Sequence, residues 1–431
     1  MELVVFLVSL FGFLALGIPI AIVLVLCSMV LMYYGGMWDS MFVMIIPQSM
    51  LDGANNYPLM AIPFFVFAGE LMGGGGISKR LLDVANVFFG RIRGGLAIVT
   101  VVVCMFFAAI SGSGPATVAA VGGMVVPTML EKGYDKKFVL ALIAAAGSIG
   151  VIIPPSIPMV VYSVTVNSSV SSLFLAGFIP GILIGLVLIV YSYVYARKAG
   201  YKGDTEPFSI GRALREVWRG KWALLSPVII LGGIYTGICS PTEAACISVV
   251  YALLVGVFAY RTIRFKELVS CLIDTAKTAT PVMLILCCCT VFGRILNILN
   301  VPQTLAEIVT SNIDSKILVL LAINIFLLFT GMVMDTVPAI LILAPIFWPI
   351  VQSYGVGAVH FGIIMSVNLA IGFVTPPSGT NLFVAQSLTG TPIARIAKNA
   401  LPFIGMFLIA LMLITYIPQI SEFLPALLST K

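Results

Sequence analysis

The chain has 431 residues, of which 60% are hydrophobic and only 9% charged, with a net charge of +6. That composition excludes a soluble globular domain and leaves roughly ten stretches long enough to cross a bilayer core of about 30 Å. The positive charge, which in a soluble protein would point to nucleic acid, acts here as a topology signal, and the expected partners are a lipid bilayer and no nucleic acid.

Residues 3 to 33 follow Met1-Glu2 as one apolar run, too long and too poorly flanked for a cleavable signal, so they are expected to stay as the first span. Further spans are expected at 57 to 76, 138 to 164, 173 to 196, 223 to 239, 244 to 260, 278 to 299, 360 to 393 and 401 to 427. The longest polar stretch, Arg197 to Trp222, reads as a linker or surface helix. Within it, Phe208 to Trp222 sets Arg212, Arg215, Arg219 and Lys221 among Ile210, Leu214, Trp218 and Trp222, the pattern of an amphipathic helix on the cytoplasmic membrane surface. Ser78 to Arg93 has the same character.

Of the 23 Lys and Arg, 19 lie in the segments 79–93, 132–137, 197–221, 261–266 and 395–398, which the positive-inside rule places in the cytoplasm. The segments 35–57, 165–172, 236–243, 300–315 and 352–359 contain neither residue and are placed outside. Two apolar stretches do not fit as single crossings. Residues 95 to 130 are flanked by inside segments at both ends, and 316 to 351 by outside segments at both ends. A helical hairpin satisfies each case, because both arms keep their backbone hydrogen bonds internal while the irregular tip rests against protein or a water-filled cavity.

An independent signal points the same way. Gly150-Val-Ile-Ile-Pro154-Pro155-Ser156 recurs as Gly372-Phe-Val-Thr375-Pro376-Pro377-Ser378, and 376 − 154 = 222. The same offset links Pro127 to Pro349, Gly133 to Gly355 and Ile149 to Ile371. Paired prolines inside an apolar run remove backbone donors and clash with the preceding turn, which breaks a membrane helix. The expected fold is therefore an all-α polytopic membrane protein with an inverted-topology repeat, two helical re-entrant hairpins and two broken transmembrane helices. Residues 1–56 form a first span and outer loop, 57–196 repeat one, 197–277 a linker helix with scaffold spans, and 278–431 repeat two.

Four clusters carry the chemistry. The first tip is Ser111-Gly112-Ser113-Gly114-Pro115-Ala116-Thr117, and the second contains Gly331, Asp335 and Thr336. Each ends one helical arm and starts another. A formal charge at that depth costs at least ~2.5 kcal/mol unpaired, so Asp335 needs a cation, a donor or a substrate. Facing the tips are the breaks, with Ser148, Gly150, Pro154 and Ser156 in one and Gly372, Thr375, Pro377, Ser378, Thr380 and Asn381 in the other. Unwound carbonyls suit hard cations such as Na+, and restarting helix N-termini suit an anion, so a carboxylate and sodium could be held with no cationic side chain. The alternative is that Gly, Ser and Pro serve only close packing and kinks. One such cluster would be ambiguous; two repeat-matched pairs favour ion and substrate binding.

Other candidates read as structural. Glu243 follows Ser240-Pro241-Thr242 as a capping residue. Glu70 is paired with Arg294 by their comparable positions in the two halves. Cys287-Cys288-Cys289 lacks metal-ligand spacing and reads as packing, and His360, the sole histidine, cannot build a metal site alone. No disulfide is expected, and no cofactor beyond Na+ as coupling ion.

Gly232-Gly-Ile-Tyr through Pro241-Thr-Glu-Ala-Ala, Ser111-Gly-Ser-Gly-Pro-Ala-Thr, Gly150-Val-Ile-Ile-Pro-Pro-Ser and Thr375-Pro-Pro-Ser-Gly-Thr-Asn resemble the large membrane subunit of tripartite ATP-independent periplasmic (TRAP) transporters. The resemblance runs from Pro58 to Gly405. It implies sodium-coupled secondary active uptake of an organic acid, of the sialic acid or C4-dicarboxylate class, across the bacterial inner membrane. It also implies an elevator-type ion-transporter fold with an elevator mechanism, a periplasmic substrate-binding protein and a small membrane subunit, here expected as a separate chain. One sodium site would lie between the first tip and Gly150 to Ser156, another between Gly331 to Thr336 and Gly372 to Asn381, with substrate between the tips. A stand-alone sodium or proton dicarboxylate symporter is the alternative. An intramembrane enzyme is not expected, because the chain lacks a His-Glu-x-x-His motif and a nucleophile with a paired base. Closed hairpin tips argue against a passive channel.

Overall fold

The computed structural model describes residues 2–39, 43–203 and 209–428, and every regular element among them is helical. The first part contains α1 (Glu2–Ala15), α2 (Ile20–Tyr34), α3 (Ile45–Ala54), α4 (Ala61–Gly74) and α5 (Ile77–Phe89). Repeat one continues with α6 (Gly95–Ser111), α7 (Gly114–Glu131), α8 (Lys136–Ser148), α9 (Ile157–Val166) and α10 (Val170–Lys198). The centre holds α11 (Ile210–Tyr235), α12 (Pro241–Leu254) and α13 (Phe265–Ile298). The second half consists of α14 (Val301–Asn312), α15 (Lys316–Val333), α16 (Thr336–Ser353), α17 (Ala358–Gly372), α18 (Thr380–Ser387), α19 (Ile393–Tyr416) and α20 (Gln419–Leu428). Seven helices among the described residues are long and apolar enough to cross a membrane. Lipid offers no backbone hydrogen bonds, so runs this rich in Leu, Ile and Val must pair their amides internally and become helices.

The duplication is visible in the element boundaries. α6 ends at 111 and α15 at 333, α7 starts at 114 and α16 at 336, and α8 starts at 136 and α17 at 358; each pair differs by 222. α6 and α7 pack together as one helical hairpin, α15 and α16 as the other. The helices sort into two groups. In the first, α13 lies along α2, α3 and α4, α12 packs on α4, and α11 on α5. In the second, α7, α18 and α19 pack on α8, α15 and α16 on α17, and α9 on α16. Each repeat's broken helix thus sends its second half onto the other repeat, α9 onto α16 and α18 onto α7 and α8.

Several expectations change. The run 3 to 33 is two helices packed side by side rather than one span, since Pro19 sets the start of α2 and cannot continue α1. The surface helix and the span at 223–239 are one continuous helix, α11, although Phe208 itself lies outside the described residues. The outer segment 300–315 contains α14, and the last span begins at Ile393 and ends at Tyr416, with α20 separate. Arg294 does not pair with Glu70; it reaches Asp52 at 3.5 Å and Ser49 Oγ at 3.3 Å, because α13 lies against α3 along the same face. Glu243 does cap α12: Ser240 N donates to its carboxylate at 2.7 Å, and Glu243 N donates to Ser240 Oγ at 3.3 Å.

Candidate functional site

α6 stops because Gly112 takes φ 62°, a left-handed conformation that side-chain-bearing residues rarely adopt, and Ser113 then caps the start of α7. The turn gathers oxygen atoms. Ser111 Oγ and Thr117 Oγ1 lie 3.1 Å apart, and Thr117 Oγ1 donates to the Ser113 carbonyl at 2.7 Å. Ser111, Gly112, Gly114 and Thr117 are buried, and Ser113 is half-buried.

The first break seats directly on this tip. A methyl group at Gly150 would stand 2.5 Å from the Ser113 carbonyl oxygen and 2.7 Å from Thr117 Oγ1, so the approach requires glycine. Ile149–Val151 is a single 3-10 turn, after which the chain runs through Pro154 and Pro155 to Ser156, where α9 restarts. Ser156 Oγ donates to the Val151 carbonyl at 2.6 Å, so this hydroxyl ties the break to itself. Ser148 and Pro154 are buried within it.

The second pair repeats the arrangement. α15 ends at Val333 and Asp335 caps α16, its Oδ1 accepting from Thr336 N at 2.7 Å. The capping positions correspond across the repeats: 335 − 113 = 222. A methyl at Gly372 would collide with the Gly331 carbonyl, so these two backbones also touch glycine to glycine. Here the serine works differently from its counterpart. Ser378 Oγ donates to the Met332 carbonyl at 2.6 Å, and Ser378 N to the same oxygen at 3.1 Å, so the break is laced to the tip. Thr375 Oγ1 donates back to the Ile371 carbonyl at 2.8 Å, while Pro377 is exposed.

The two pairs meet at Asn381. It is fully buried, and its Nδ2 donates to the Ala144 carbonyl at 2.9 Å and to Ser148 Oγ at 3.0 Å, both in repeat one. Its Oδ1 faces the first tip, where a methyl at Gly114 would lie 3.2 Å away. Asn381 Oδ1 and the neighbouring Thr380 Oγ1 are buried with no hydrogen-bond partner in the protein. Unpaired buried acceptors are costly, which makes them natural ligands for a cation or a donor. The residues named from sequence thus fall into two tip-and-break pairs joined through Asn381, and none of them is cationic.

One polar group escaped the sequence reading. Asn368 Nδ2 donates to Asn324 Oδ1 at 2.7 Å, and Asn324 Nδ2 to Thr415 Oγ1 at 3.2 Å. His360 Nε2 lies 3.2 Å from the Thr415 carbonyl, so that nitrogen is a donor, and Nδ1 lies 2.6 Å from Ser421 Oγ. All five residues are buried. The signal was available, since Asn324 and Asn368 sit mid-helix in apolar runs.

The fold is shared with a solved structure titled the Alcanivorax borkumensis YdaH transporter, with a TM-score of 0.62 at 14% identity over 88% of this chain and 89% of that one. Among sequence relatives, the isethionate TRAP transporter permease protein DctMQ of Oleidesulfovibrio alaskensis is 46% identical over 95% of this chain, which spans 64% of that longer protein. The C4-dicarboxylate TRAP transporter large permease protein DctM of Pseudomonas aeruginosa is 42% identical over 87% of this chain and 88% of its own length. The 2,3-diketo-L-gulonate TRAP transporter large permease protein YiaN of Escherichia coli is 36% identical over 97% of this chain and 98% of its own. The family model described as the tripartite ATP-independent periplasmic transporter, DctM component, matches residues 7–420. With both broken helices and both hairpins inside that match, the chain belongs to the DctM family of TRAP transporters and is a multi-pass inner-membrane transporter component, not an enzyme.

Proposed function

We propose that this chain carries out sodium-coupled secondary active uptake of an organic acid, handed to it by a periplasmic substrate-binding protein, with a small membrane subunit as its other partner. The observation that carries the reading is the pair of oxygen-rich junctions. At each, a hairpin tip and a helix break present carbonyls and hydroxyls at glycine-to-backbone contact, a setting for a hard cation. Sodium binds Ser111, Ser113 and Thr117 with the Gly150 turn at one junction, and the Gly331 to Thr336 tip with Gly372 to Asn381 at the other. The substrate's anionic group lies between the tips, against the N-termini of α7 and α16. The related proteins are named for isethionate, C4-dicarboxylates and 2,3-diketo-L-gulonate, all organic anions, which supports that class.

The hairpins re-enter from opposite faces, and the second helix group moves as a unit past the group built on α13, an elevator step. Uptake of a labelled organic-acid panel, sialic acid included, into proteoliposomes tests this. Accumulation is expected only with an inward sodium gradient, the small subunit and the binding protein together. Uphill uptake by the chain alone would assign a self-sufficient symporter, and uptake indifferent to sodium would overturn the coupling.

A further inference from the structure

A cavity of about 370 Å³ lies between α5, α6 and α11, away from both tips, and every residue lining it is apolar. Val84 and Ala85 of α5 form one wall, Val102 and Phe106 of α6 the second, and Val217 and Leu224 of α11 the third. The walls have a definite depth. α6 starts at Gly95, so at about 1.5 Å per residue Val102 and Phe106 sit roughly 10 and 16 Å further along the helix than its cytoplasmic start. Phe88 and Phe89, at the end of α5, line the shallow end.

Immediately beyond Phe89 come Arg91 and Arg93, both exposed. On another wall, α11 carries exposed Arg215 and Arg219, the latter ion-paired with Glu216 at 3.2 Å, and Lys221 Nζ lies 3.8 Å above the Trp218 ring. The segments 77–93 and 210–222 together hold eight Lys and Arg against two carboxylates, Asp83 and Glu216. Trp218, Leu214 and Ile210 are 68%, 69% and 77% exposed, so α11 offers apolar side chains beside its cations, as a helix lying at a lipid interface does. A slot that is purely apolar and runs inward from a cationic rim has the shape and charge order of one lipid molecule.

We propose that this groove binds a single anionic phospholipid of the cytoplasmic leaflet, with an acyl chain between α5, α6 and α11 and its phosphate at Arg91 and Arg93. The lipid fastens the first arm of hairpin one to the two surface-facing helices, and it distinguishes anionic from zwitterionic headgroups by charge.

Native mass spectrometry of the delipidated full-length chain, titrated with phosphatidylglycerol or phosphatidylethanolamine of identical acyl chains, tests the site. A discrete one-to-one phosphatidylglycerol adduct is expected at no more than a tenth of the concentration that phosphatidylethanolamine needs. The double variant R91Q/R93Q should erase that preference and keep a weak adduct, whereas Ala85→Phe and, from another wall, Leu224→Trp should remove the adduct for both lipids. Thermal melts of each variant identify any that fail to fold, and the three variants touch separate elements. Equal occupancy by the two lipids in the wild type, or a phosphatidylglycerol adduct that survives both filling variants, overturns the proposal. So does loss of the adduct on assembly with the small membrane subunit, which would assign the groove to a partner helix.

Discussion

Hairpin one and hairpin two descend from one duplicated segment, yet they sit in different surroundings. α6 is buried along nearly its whole length, enclosed by α5, α8 and α10. α15 exposes Ile317, Leu321, Ile325, Phe329 and Val333, a stripe at helical spacing down one side. The interior differs as well. Asn324, His360 and Asn368 correspond at the 222 offset to Val102, Phe138 and Ala146, so the buried polar chain of repeat two has an apolar counterpart in repeat one. Hydrogen-bonded polar networks hold one arrangement, whereas apolar contacts accept several. The duplication has kept the contact between tip and break and has let everything around it diverge.

The harshest way to break this comparison is at the glycine contacts. The three atoms nearest a methyl at Gly372 all belong to the Gly331 backbone, which has no side chain to rotate away, while one neighbour of a methyl at Gly150 is the Thr117 hydroxyl. Overpacking of this kind costs about 1–3 kcal/mol and sometimes more. Gly372→Ala should therefore abolish sodium-driven uptake and lower the melting temperature further than Gly150→Ala does; the reverse order would remove the claimed equivalence of the two seats. Next in size is Asn381→Leu, which removes the two hydrogen bonds that Nδ2 donates to the Ala144 carbonyl and the Ser148 hydroxyl, at a cost of about 1–3 kcal/mol. Its repeat-one counterpart, Met159→Leu, conserves volume and should cost less than about 1.5 kcal/mol. Denaturation of the pair in matched detergent checks the difference.

The hairpins and breaks were legible in the sequence because proline and glycine punctuate apolar runs and because basic residues mark sides. The break at Gly17 to Pro19 carries the same punctuation, but the run on either side is so apolar that length dominated the reading. α14 was missed because its residues are polar enough to pass for a loop. The partner of Arg294 was out of reach: nothing in the pattern sets where α3 lies, and Asp52 is distant in sequence. The same holds for Asn381, whose partners lie 237 and 233 residues away.

Smaller effects sharpen the contrast. Ser378→Ala removes a hydroxyl that laces break to tip, whereas Ser156→Ala removes one that closes the break on itself. Each bond is worth about 1 kcal/mol, and Ser156 Oγ also caps α9 by accepting from Met159 N, so Ser156→Ala should cost about 1 kcal/mol more than Ser378→Ala. Only Ser378→Ala should shift the sodium concentration for half-maximal uptake; equal shifts would mean that the lacing does not bear on the ion. The last test is the mildest. Val333 is 69% exposed and its counterpart Ser111 1%, so Val333→Ala should stay within about 0.5 kcal/mol of the wild type, whereas Ser111→Ala loses its contact with Thr117 Oγ1 at about 1 kcal/mol. Equal losses in a detergent melt would show that the two tips are equally enclosed.

α13 contains 34 residues, a length of about 51 Å at 1.5 Å per residue, against a hydrocarbon thickness of about 30 Å. Even strongly tilted, such a rod outruns the membrane. The ion pair of Asp274 with Lys277, at 3.1 Å, lies in the N-terminal half of the helix, and charges of this kind are costly inside lipid. With α2, α3 and α4 laid along it, α13 is the mast of the first helix group, and its excess length gives that group a foothold beyond the bilayer's reach. A change in membrane thickness would tilt the mast and the helices lashed to it together, so lipid chain length alone should alter the track of the proposed elevator step.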